Sequence, residues 1–264
     1  MIGHPIGHSL SPRLHGRWLE RYGIEGRYEA VDLAPDAFAG GVRRLAQDGW
    51  AGVNVTLPHK ASALALADEA TETASRLGVA NLLIFCEGKI TADNTDQAGF
   101  ASALAPHLTP AHRRALVLGA GGATPAVLAA LLQVGIEDIR LTNRTAATAE
   151  AMAGRFGAQV VPWADRQDAL NAETDLVINA TPLGLRGYAA LDLPLGALPD
   201  HAVVADIAYS ADGTELVRAA RGRGLSGFDG LAMLVAQAVP SFAAFFGPAP
   251  DDLADAEAFL RRGA

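Results

Sequence analysis

A run of small residues lies between a short apolar segment and a helical pattern in the middle of the chain. Its members are Gly119, Ala120, Gly121, Gly122, Ala123 and Thr124. Glycine allows the tight turn that ends a strand, and its bare backbone lets a pyrophosphate approach the N-terminus of the following helix. Thr124 replaces the third glycine of this fingerprint, but the order of strand, turn and helix is the expected one. The run therefore predicts a dinucleotide site at residues 119–123, against the alternative of an ordinary glycine-rich turn.

From Arg114 onward, strand-like and helix-like segments alternate. Aliphatic runs at 115–118 and 139–142 enclose a helical pattern at 125–134, and the same alternation continues to residue 207. This pattern is typical of a parallel, doubly wound sheet. Since 264 residues exceed the usual size of one domain, we expect an α/β protein with a first domain before residue 97 and a Rossmann-like domain after it.

The strand after the glycine run ends in Asn143, Arg144 and Thr145. A site that prefers NAD usually carries an acidic residue about 20 positions after the glycines, which accepts a hydrogen bond from the ribose 2′-hydroxyl. This chain has no acid there. Arg144 can instead pair with a 2′-phosphate, with Asn143 and Thr145 as hydrogen-bond donors. The segment favours NADP, and the alternative is a solvated surface arginine.

Lysine is rare in this chain. Of 21 basic residues only Lys60 and Lys89 are lysines, and the other 19 are arginines. Because arginine does not lose its proton in proteins, a retained lysine suggests a task that arginine cannot perform, such as releasing a proton, and the alternative is chance. Lys60 follows the polar segment 54–59 at a predicted strand end, where open α/β sheets bind ligands. Lys89 follows a predicted Glu87-Gly88 hairpin turn, where chance is the better explanation.

Asp96 closes the polar segment that follows this hairpin, residues 93–96. A buried pair of Lys60 and Asp96 would suit proton transfer, because burial lowers the proton affinity of a lysine and a nearby carboxylate opposes that change. The sequence leaves open whether the two side chains meet. A solvated lysine and a helix-capping aspartate are the alternative.

Two serines lie near the N-terminus, within the segment 4–15. Ser11 followed by Pro12 is typical of a helix N-cap, and the hydroxyls of Ser9 and Ser11 suit a carboxylated or polyhydroxylated ligand. The three histidines of this segment have no cluster of carboxylates or cysteines near them, so we expect no metal. Only two residues precede Gly3, so a first strand there is either a stub or begins upstream.

Composition excludes several classes of protein. The 29 acidic and 21 basic residues give a net charge of −8, which argues against general nucleic-acid binding. A single cysteine, Cys86, leaves no intramolecular disulfide and no cysteine-based zinc site. No apolar run reaches the roughly 18 residues of a membrane helix, and no signal-peptide pattern is present. We expect a cytoplasmic protein with small-molecule partners, no nucleic acid and no membrane.

Further residues along the chain belong to short motifs that, with the segments described above, follow one another in a fixed order. They include Gly3, Ile6, His8, Leu10, His15, Pro58, Asn81, Asn179, Ala180, Thr181, Asp206, Tyr209, Gly230, Met233, Leu234 and Gln237. Each motif by itself is unspecific, whereas this many in order and at compatible spacing are specific. The chain resembles the shikimate dehydrogenase family over nearly its whole length.

The resemblance implies the NADP-dependent interconversion of 3-dehydroshikimate and shikimate in aromatic amino-acid biosynthesis. It implies two α/β domains around a cleft, with the final helices returning to the first domain. The substrate-binding domain would comprise 1–96 plus 231–264, and the doubly wound, Rossmann-like NADP-binding domain would comprise 97–230. Hydride would move between the nicotinamide and the C3 position while Lys60 transfers the proton and Asp96 orients it.

The resemblance also assigns site residues. Lys60 and Asp96 would be the catalytic pair. The substrate would be held by Ser9, Ser11, Asn54, Thr56, Asn81, Asp96, Tyr209 and Gln237. The cofactor would be held by Gly119, Ala120, Gly121, Gly122, Ala123, Asn143, Arg144, Thr145, Ala180, Thr181, Ile207, Gly230 and Met233.

The chain departs from the family pattern at positions that bear on cofactor binding. Thr148 stands where some members carry a second basic residue, and Ala232 stands where glycine is common. Two alternatives therefore stay open. One is a quinate/shikimate dehydrogenase-like paralogue that uses another cyclic hydroxy acid or NAD. The other is a non-catalytic NADP-binding regulator, which needs neither Lys60 nor Asp96. The chain is expected to be a monomer or a homodimer.

Overall fold

The structure, a computed structural model, describes residues 1–185 and 187–262. The chain divides into two compact units. Unit 1 comprises Met1–Gln97 and Leu234–Leu260, and unit 2 comprises Ala98–Met233 with the last described residues, Arg261 and Arg262. Within the described ranges, no helix is both long and apolar enough to cross a membrane.

The first half of the chain carries short strands and helices. In order they are β1 (Ile2–Gly3), α1 (Ser11–Tyr22), β2 (Val31–Asp32), α2 (Phe38–Gln47), β3 (Gly52–Asn54), α3 (Lys60–Leu66), β4 (Glu69–Ala70), α4 (Glu72–Leu77), β5 (Leu82–Cys86), β6 (Lys89–Asp93) and α5 (Asp96–Leu104). Strands β3, β5, β6 and β4 form one sheet in that order, and β1 pairs in parallel with β2. A parallel bridge between Ile2 and Val55 joins β1 to the segment after β3.

The β5–β6 hairpin has the tight turn that the sequence predicts. The two strands pair in antiparallel fashion up to Cys86 and Lys89. Between them, Glu87 and Gly88 have φ of 52° and 77°. Two successive positive φ angles are those of a type I′ turn, whose twist matches that of the flanking strands. Lys89 forms an exposed ion pair with Glu69, 2.5 Å away.

The second half of the chain alternates strands and helices. In order they are β7 (Arg114–Leu118), α6 (Thr124–Gln133), β8 (Asp138–Thr142), α7 (Ala146–Phe156), β9 (Gln159–Val161), β10 (Leu176–Asn179), β11 (Val203–Asp206), α8 (Glu215–Gly222), β12 (Ser226–Asp229), α9 (Gly230–Phe246) and α10 (Leu253–Arg261). Short 3-10 helices occupy Ala105–His107 and Trp163–Asp165.

Unit 2 is built on a parallel six-stranded sheet. The strand order is β9-β8-β7-β10-β11-β12, which is the doubly wound order of a Rossmann-like domain. The predicted α/β fold class is therefore confirmed. Strands β10 and β11 are buried along their whole length, as parallel strands covered on both faces should be. The order reverses between β7 and β10, and ligands bind outside the carboxyl ends of the strands at such a point.

One local prediction, the N-cap of α1, is wrong. The helix includes Ser11, and its N-cap is Leu10, which has φ −85° and ψ −5° and makes no side-chain capping bond. The Leu14 N–H donates the first helical hydrogen bond to the Leu10 carbonyl at 3.0 Å, so Leu10 takes the capping position and Ser11 lies within the first turn. Instead the hydroxyl of Ser9 accepts the Ser11 N–H at 3.3 Å.

His15 is a fully buried histidine in unit 1. Its ring stacks on Tyr28 with a centroid distance of 3.8 Å. Neither ring nitrogen has a hydrogen-bond partner among the described residues. Burial, with a smaller effect of the N-terminal ammonium, lowers the pKa of His15 from 6.5 to about 3. The folded protein therefore holds this ring neutral at pH values where an unfolded chain protonates it.

We expect acid to destabilise the fold through His15. Below pH 6.5 the unfolded state binds a proton that the folded state binds only near pH 3, so the free energy of unfolding falls across this window. At pH 4 the loss is about 3 kcal/mol. The variant His15→Phe keeps the stacked ring and lacks this proton. Urea unfolding at pH 7 and pH 4 should show the stability of the variant rising relative to that of the parent at the lower pH. If the variant and the parent differ in their free energy of unfolding by the same amount at both pH values, His15 is not the source of the acid sensitivity.

Candidate active site

Lys60 and Asp96 form an ion pair in unit 1. Each is the first residue of a helix, Lys60 of α3 and Asp96 of α5. The Lys60 Nζ lies 2.5 Å from Asp96 Oδ2, and the two side chains are only 14% and 8% exposed. The structure thus brings together the two residues for which the sequence left the contact open. A shielded pair of this kind suits a proton carrier better than a solvated lysine does.

Asn81 holds the other oxygen of Asp96. Its Nδ2 donates to Asp96 Oδ1 at 2.8 Å and to Thr95 Oγ1 at 2.9 Å, while its Oδ1 accepts the Thr95 N–H at 2.8 Å. The Ala80 N–H donates to the Lys60 carbonyl at 2.9 Å, which joins the start of α3 to the residues before β5. Lys60 and Asn81 together fix the orientation of the Asp96 carboxylate.

Asn54 and Gln237 lie in the same network. Asn54, at the end of β3, donates from Nδ2 to the Asn81 carbonyl at 3.3 Å. Gln237, on α9, accepts at Oε1 from Thr95 Oγ1 at 3.2 Å and from Asn81 Nδ2 at 3.4 Å. Three amides that the sequence analysis assigned to a ligand, Asn54, Asn81 and Gln237, therefore form one hydrogen-bonded cluster with the ion pair.

The other three predicted ligand residues of unit 1 are hydroxyl side chains. Ser11 is 1% exposed, and its hydroxyl has no partner among the described residues. Ser9 is bonded to the Ser11 backbone, and Thr56 begins the turn that leads to α3, where its carbonyl accepts the His59 N–H at 2.9 Å. A buried hydroxyl without a protein partner is costly, which suits a group that binds a ligand.

The three N-terminal histidines have different surroundings. His4 lies 2.5 Å from Asp32, and this hydrogen bond lowers the pKa of the Asp32 carboxyl. His8 is exposed and His15 is buried. Within residues 1–185 and 187–262, no group of three or more side chains is arranged to hold a metal ion.

The glycine turn of unit 2 follows β7. Gly119 has a φ of 101°, and a Cβ at this position would lie 2.8 Å from the Ala180 carbonyl oxygen, so that only glycine fits. At Gly121, by contrast, no described atom beyond the two neighbouring residues lies within 4 Å of the position of a Cβ. The Thr124 hydroxyl, at the start of α6, donates to the Gly119 carbonyl at 3.0 Å. The turn thus leaves its backbone open beside a helix N-terminus, as a pyrophosphate site requires.

Asn143, Arg144 and Thr145 follow β8. Asn143 Oδ1 accepts the Ala120 N–H at 3.2 Å, and Asn143 Nδ2 donates to the Thr145 carbonyl at 3.0 Å. Arg144 is exposed, and so is Thr148 in the first turn of α7. Asn143 therefore ties this loop to the glycine turn, while the Arg144 guanidinium stays accessible to an anion.

Two buried polar residues end the neighbouring strands β10 and β11. Asn179 donates from Nδ2 to Asp206 Oδ1 at 3.1 Å and accepts the Thr181 hydroxyl at 2.6 Å. Burial raises the pKa of the Asp206 carboxyl to about 6, against the opposing effect of hydrogen bonds from Thr214, Ala208 and Asn179. These contacts fix the turn at Ala180 and Thr181.

The start of α9 lies against the end of β11. The Gly230 N–H donates to the Ala208 carbonyl at 2.8 Å. A Cβ on Gly230 would lie 2.0 Å from the Ile207 carbonyl oxygen, so a side chain is excluded. Met233 is buried, and Ile207 and Tyr209 are half-buried in unit 2. All the residues that the sequence analysis assigned to the cofactor belong to unit 2.

Sequence reasoning missed two members of the unit 1 network. Tyr28 donates to Asn54 Oδ1 at 2.6 Å, and Ser241 Oγ accepts from Asn54 Nδ2 at 2.8 Å. Ser241 carried a usable signal, because it is an isolated polar residue in the apolar run of α9. Tyr28 had no comparable signal in the sequence.

Two family models match the chain. The model of the shikimate dehydrogenase substrate-binding domain matches residues 1–83. The model of shikimate/quinate 5-dehydrogenase matches residues 102–184.

Named relatives and a solved structure agree with these matches. A shikimate dehydrogenase (NADP(+)) of Azorhizobium caulinodans is 48% identical over 255 residues, which is 95% of this chain and 90% of the relative. One of Acidiphilium cryptum is 47% identical over 251 residues, with the same two coverages. A crystal structure of shikimate 5-dehydrogenase from Thermus thermophilus, in complex with NADP(H) and shikimate, is 37% identical. It has a TM-score of 0.88 and covers 100% of this chain and 98% of that one. The chain belongs to the shikimate dehydrogenase family.

Proposed function

We propose that this chain interconverts 3-dehydroshikimate and shikimate, with Lys60 and Asp96 moving the proton. The chain is an NADP-dependent oxidoreductase of its family. The single observation that carries the residue assignment is the shielded 2.5 Å contact between Lys60 Nζ and Asp96 Oδ2. We assign substrate binding to unit 1 and NADP binding to unit 2.

The proton steps fall to residues of unit 1. NADP, when bound, supplies or accepts the hydride at C3. In the direction of reduction, Lys60 donates a proton from Nζ to the oxygen on C3, and in the direction of oxidation it takes that proton back. The negative charge of Asp96 holds the Lys60 ammonium, and Asn81 keeps the Asp96 carboxylate in place. A lysine suits this role because arginine retains its proton throughout.

The remaining polar residues of unit 1 orient the substrate in this proposal. Ser9 and Ser11 bind the carboxylate, and the buried hydroxyl of Ser11 without a protein partner supports this assignment. The substrate hydroxyls bind to the amide cluster and to Thr56. We also assign Tyr209, in unit 2, to the substrate.

The residues of unit 2 fit a dinucleotide phosphate. Residues 119–123 and the N-terminus of α6 would hold the pyrophosphate, for which Gly121 leaves room. Residues 143–145 would hold the adenosine 2′-phosphate, with Arg144 as the charged partner. The segments around Ala180, Ile207 and Gly230, with Met233, would contact the rest of the cofactor.

Initial rates with two cofactors and two substrates test the proposed function. Purified protein is assayed with NADP or NAD, each with shikimate or quinate. We expect the fastest turnover with NADP and shikimate, by about tenfold or more over NAD, since one charge-assisted hydrogen bond is worth that factor. Comparable rates with quinate or NAD would place the chain with the quinate/shikimate dehydrogenase-like paralogues, which accept another cyclic hydroxy acid or NAD. Tight NADP binding without turnover of any pair would favour a regulator.

The setting of the reaction is also part of the proposal. We infer that the protein works in the cytoplasm on small molecules, as a monomer or a homodimer. The single cysteine, Cys86, leaves no intramolecular disulfide, which is typical of proteins in a reducing compartment.

A further inference from the structure

Tyr28 contacts one end of the Asn54 side chain. The phenol oxygen lies 2.6 Å from Asn54 Oδ1. The ring is held by its stack on His15, with planes inclined by 9°. Burial raises the pKa of Tyr28 above its usual range, so the hydroxyl keeps its proton and acts as a donor.

Ser241 contacts the other end of Asn54. Ser241 is fully buried on α9, and its Oγ lies 2.8 Å from Asn54 Nδ2. The serine's own proton is directed to the Gln237 carbonyl at 3.3 Å, one helical turn earlier. Ser241 therefore acts toward Asn54 as an acceptor.

The carbonyl of Asn81 decides which way the Asn54 amide faces. It lies 3.3 Å from Asn54 Nδ2. A carbonyl oxygen only accepts hydrogen bonds, so the amide nitrogen must face it. In the opposite orientation, Asn54 Oδ1 would meet the Asn81 carbonyl, and two acceptors would oppose each other. The hydrogen bonds therefore run in one direction, from Tyr28 through Asn54 to Ser241.

This arrangement leaves Asn54 with little hydrogen-bonding capacity. A carboxamide has two N–H donors and two acceptor lone pairs. Both donors are used, by Ser241 and by the Asn81 carbonyl, and Tyr28 uses one lone pair. One lone pair on Oδ1 is left for a ligand.

We propose that Tyr28 and Ser241 are positioning residues that hold Asn54 so that it offers the substrate one hydrogen-bond acceptor. The proposal rests on the proposed function, in which Asn54 binds a substrate hydroxyl. A hydroxyl can donate to this lone pair, whereas a ketone or a carboxylate oxygen cannot. Without Tyr28 or Ser241, the amide loses one of its two short contacts, and the long contact of 3.3 Å with the Asn81 carbonyl holds its direction less firmly.

Single variants test the proposal in the full-length protein. Tyr28→Phe removes the donor and keeps the stacked ring, and Ser241→Ala removes the acceptor from the other side. Each should raise the KM for shikimate about fivefold to tenfold, the effect of losing one oriented hydrogen bond. The KM for NADP and kcat should change less than about threefold. Tyr22→Phe is the matched control, since its ring packs on Phe242 in the same aromatic cluster and it has no part in the Asn54 contacts.

The same substitutions in an Asn54→Ala background separate positioning from packing. If Tyr28 and Ser241 act through Asn54, each should change the KM for shikimate less than about twofold in that background. An unchanged KM in both single variants, or the same increase with and without Asn54, would overturn the proposal. Turnover of shikimate by the parent tests the proposed function separately. Positioning is measured only by the ratio of the KM for shikimate in the variant to that in the parent.

Discussion

Replacing Lys60 by alanine should lower kcat for shikimate oxidation by about 10²–10⁴-fold, the usual contribution of a general acid–base group. The pair with Asp96 is shielded and short, and Lys60 is the proton donor and acceptor of the proposed mechanism. The dissociation constant of NADP should change little, because the residues assigned to the cofactor all belong to unit 2. Steady-state rates and fluorescence titration with NADPH measure the two effects.

Two further variants sharpen this test. Lys89→Ala removes the other lysine of the chain, which is exposed and paired with Glu69, and it should leave kcat unchanged. Lys60→Arg keeps a positive charge beside Asp96 but retains its proton, so its kcat should be nearly as low as that of the alanine variant. Substantial activity in Lys60→Arg would show that charge, and not proton transfer, is what the site requires.

The fold of unit 2 could be predicted from sequence because its signals are local. The strands β7, β10 and β11 are covered on both faces, so they read as continuous aliphatic runs. The glycine turn is equally local, since a φ of 101° at Gly119 and the approach of Ala180 both demand glycine. The strand β12 escaped prediction because it has four residues, of which two are Ser226 and Gly227.

The network around Asn54 could not be predicted, because it depends on contacts between distant parts of the chain. Tyr28 and Asn54 are separated by 26 positions, and Asn54 and Ser241 by 187. Residue types and spacing indicate which side chains can donate or accept, but the direction of an amide is decided by its neighbours. The carbonyl of Asn81 supplies that information only once the sheet has formed.

Substituting Gly121 by alanine should weaken NADP binding without weakening the fold. No described atom beyond the two neighbouring residues lies within 4 Å of the added methyl group, and the backbone does not have the positive φ that disfavours alanine. The methyl group instead occupies the space through which a pyrophosphate approaches the turn. We expect the dissociation constant of NADP to rise about tenfold or more, which corresponds to roughly 1.4 kcal/mol. The melting temperature without ligand should stay within about 1 °C of the parent.

Alanine substitutions at two other glycines serve as controls, and their expected effects on the stability of the fold are opposite in sign. Gly119→Ala meets the Ala180 carbonyl at 2.8 Å with a φ of 101°, so it should destabilise the folded protein itself by about 1–3 kcal/mol. Gly154→Ala lies in α7 with open space around it, so it should stabilise the helix by about 0.5–1 kcal/mol and leave NADP affinity unchanged. Unchanged NADP affinity in Gly121→Ala would place the pyrophosphate away from this turn. A lowered melting temperature in that variant would instead show that Gly121 serves the fold, as Gly119 does.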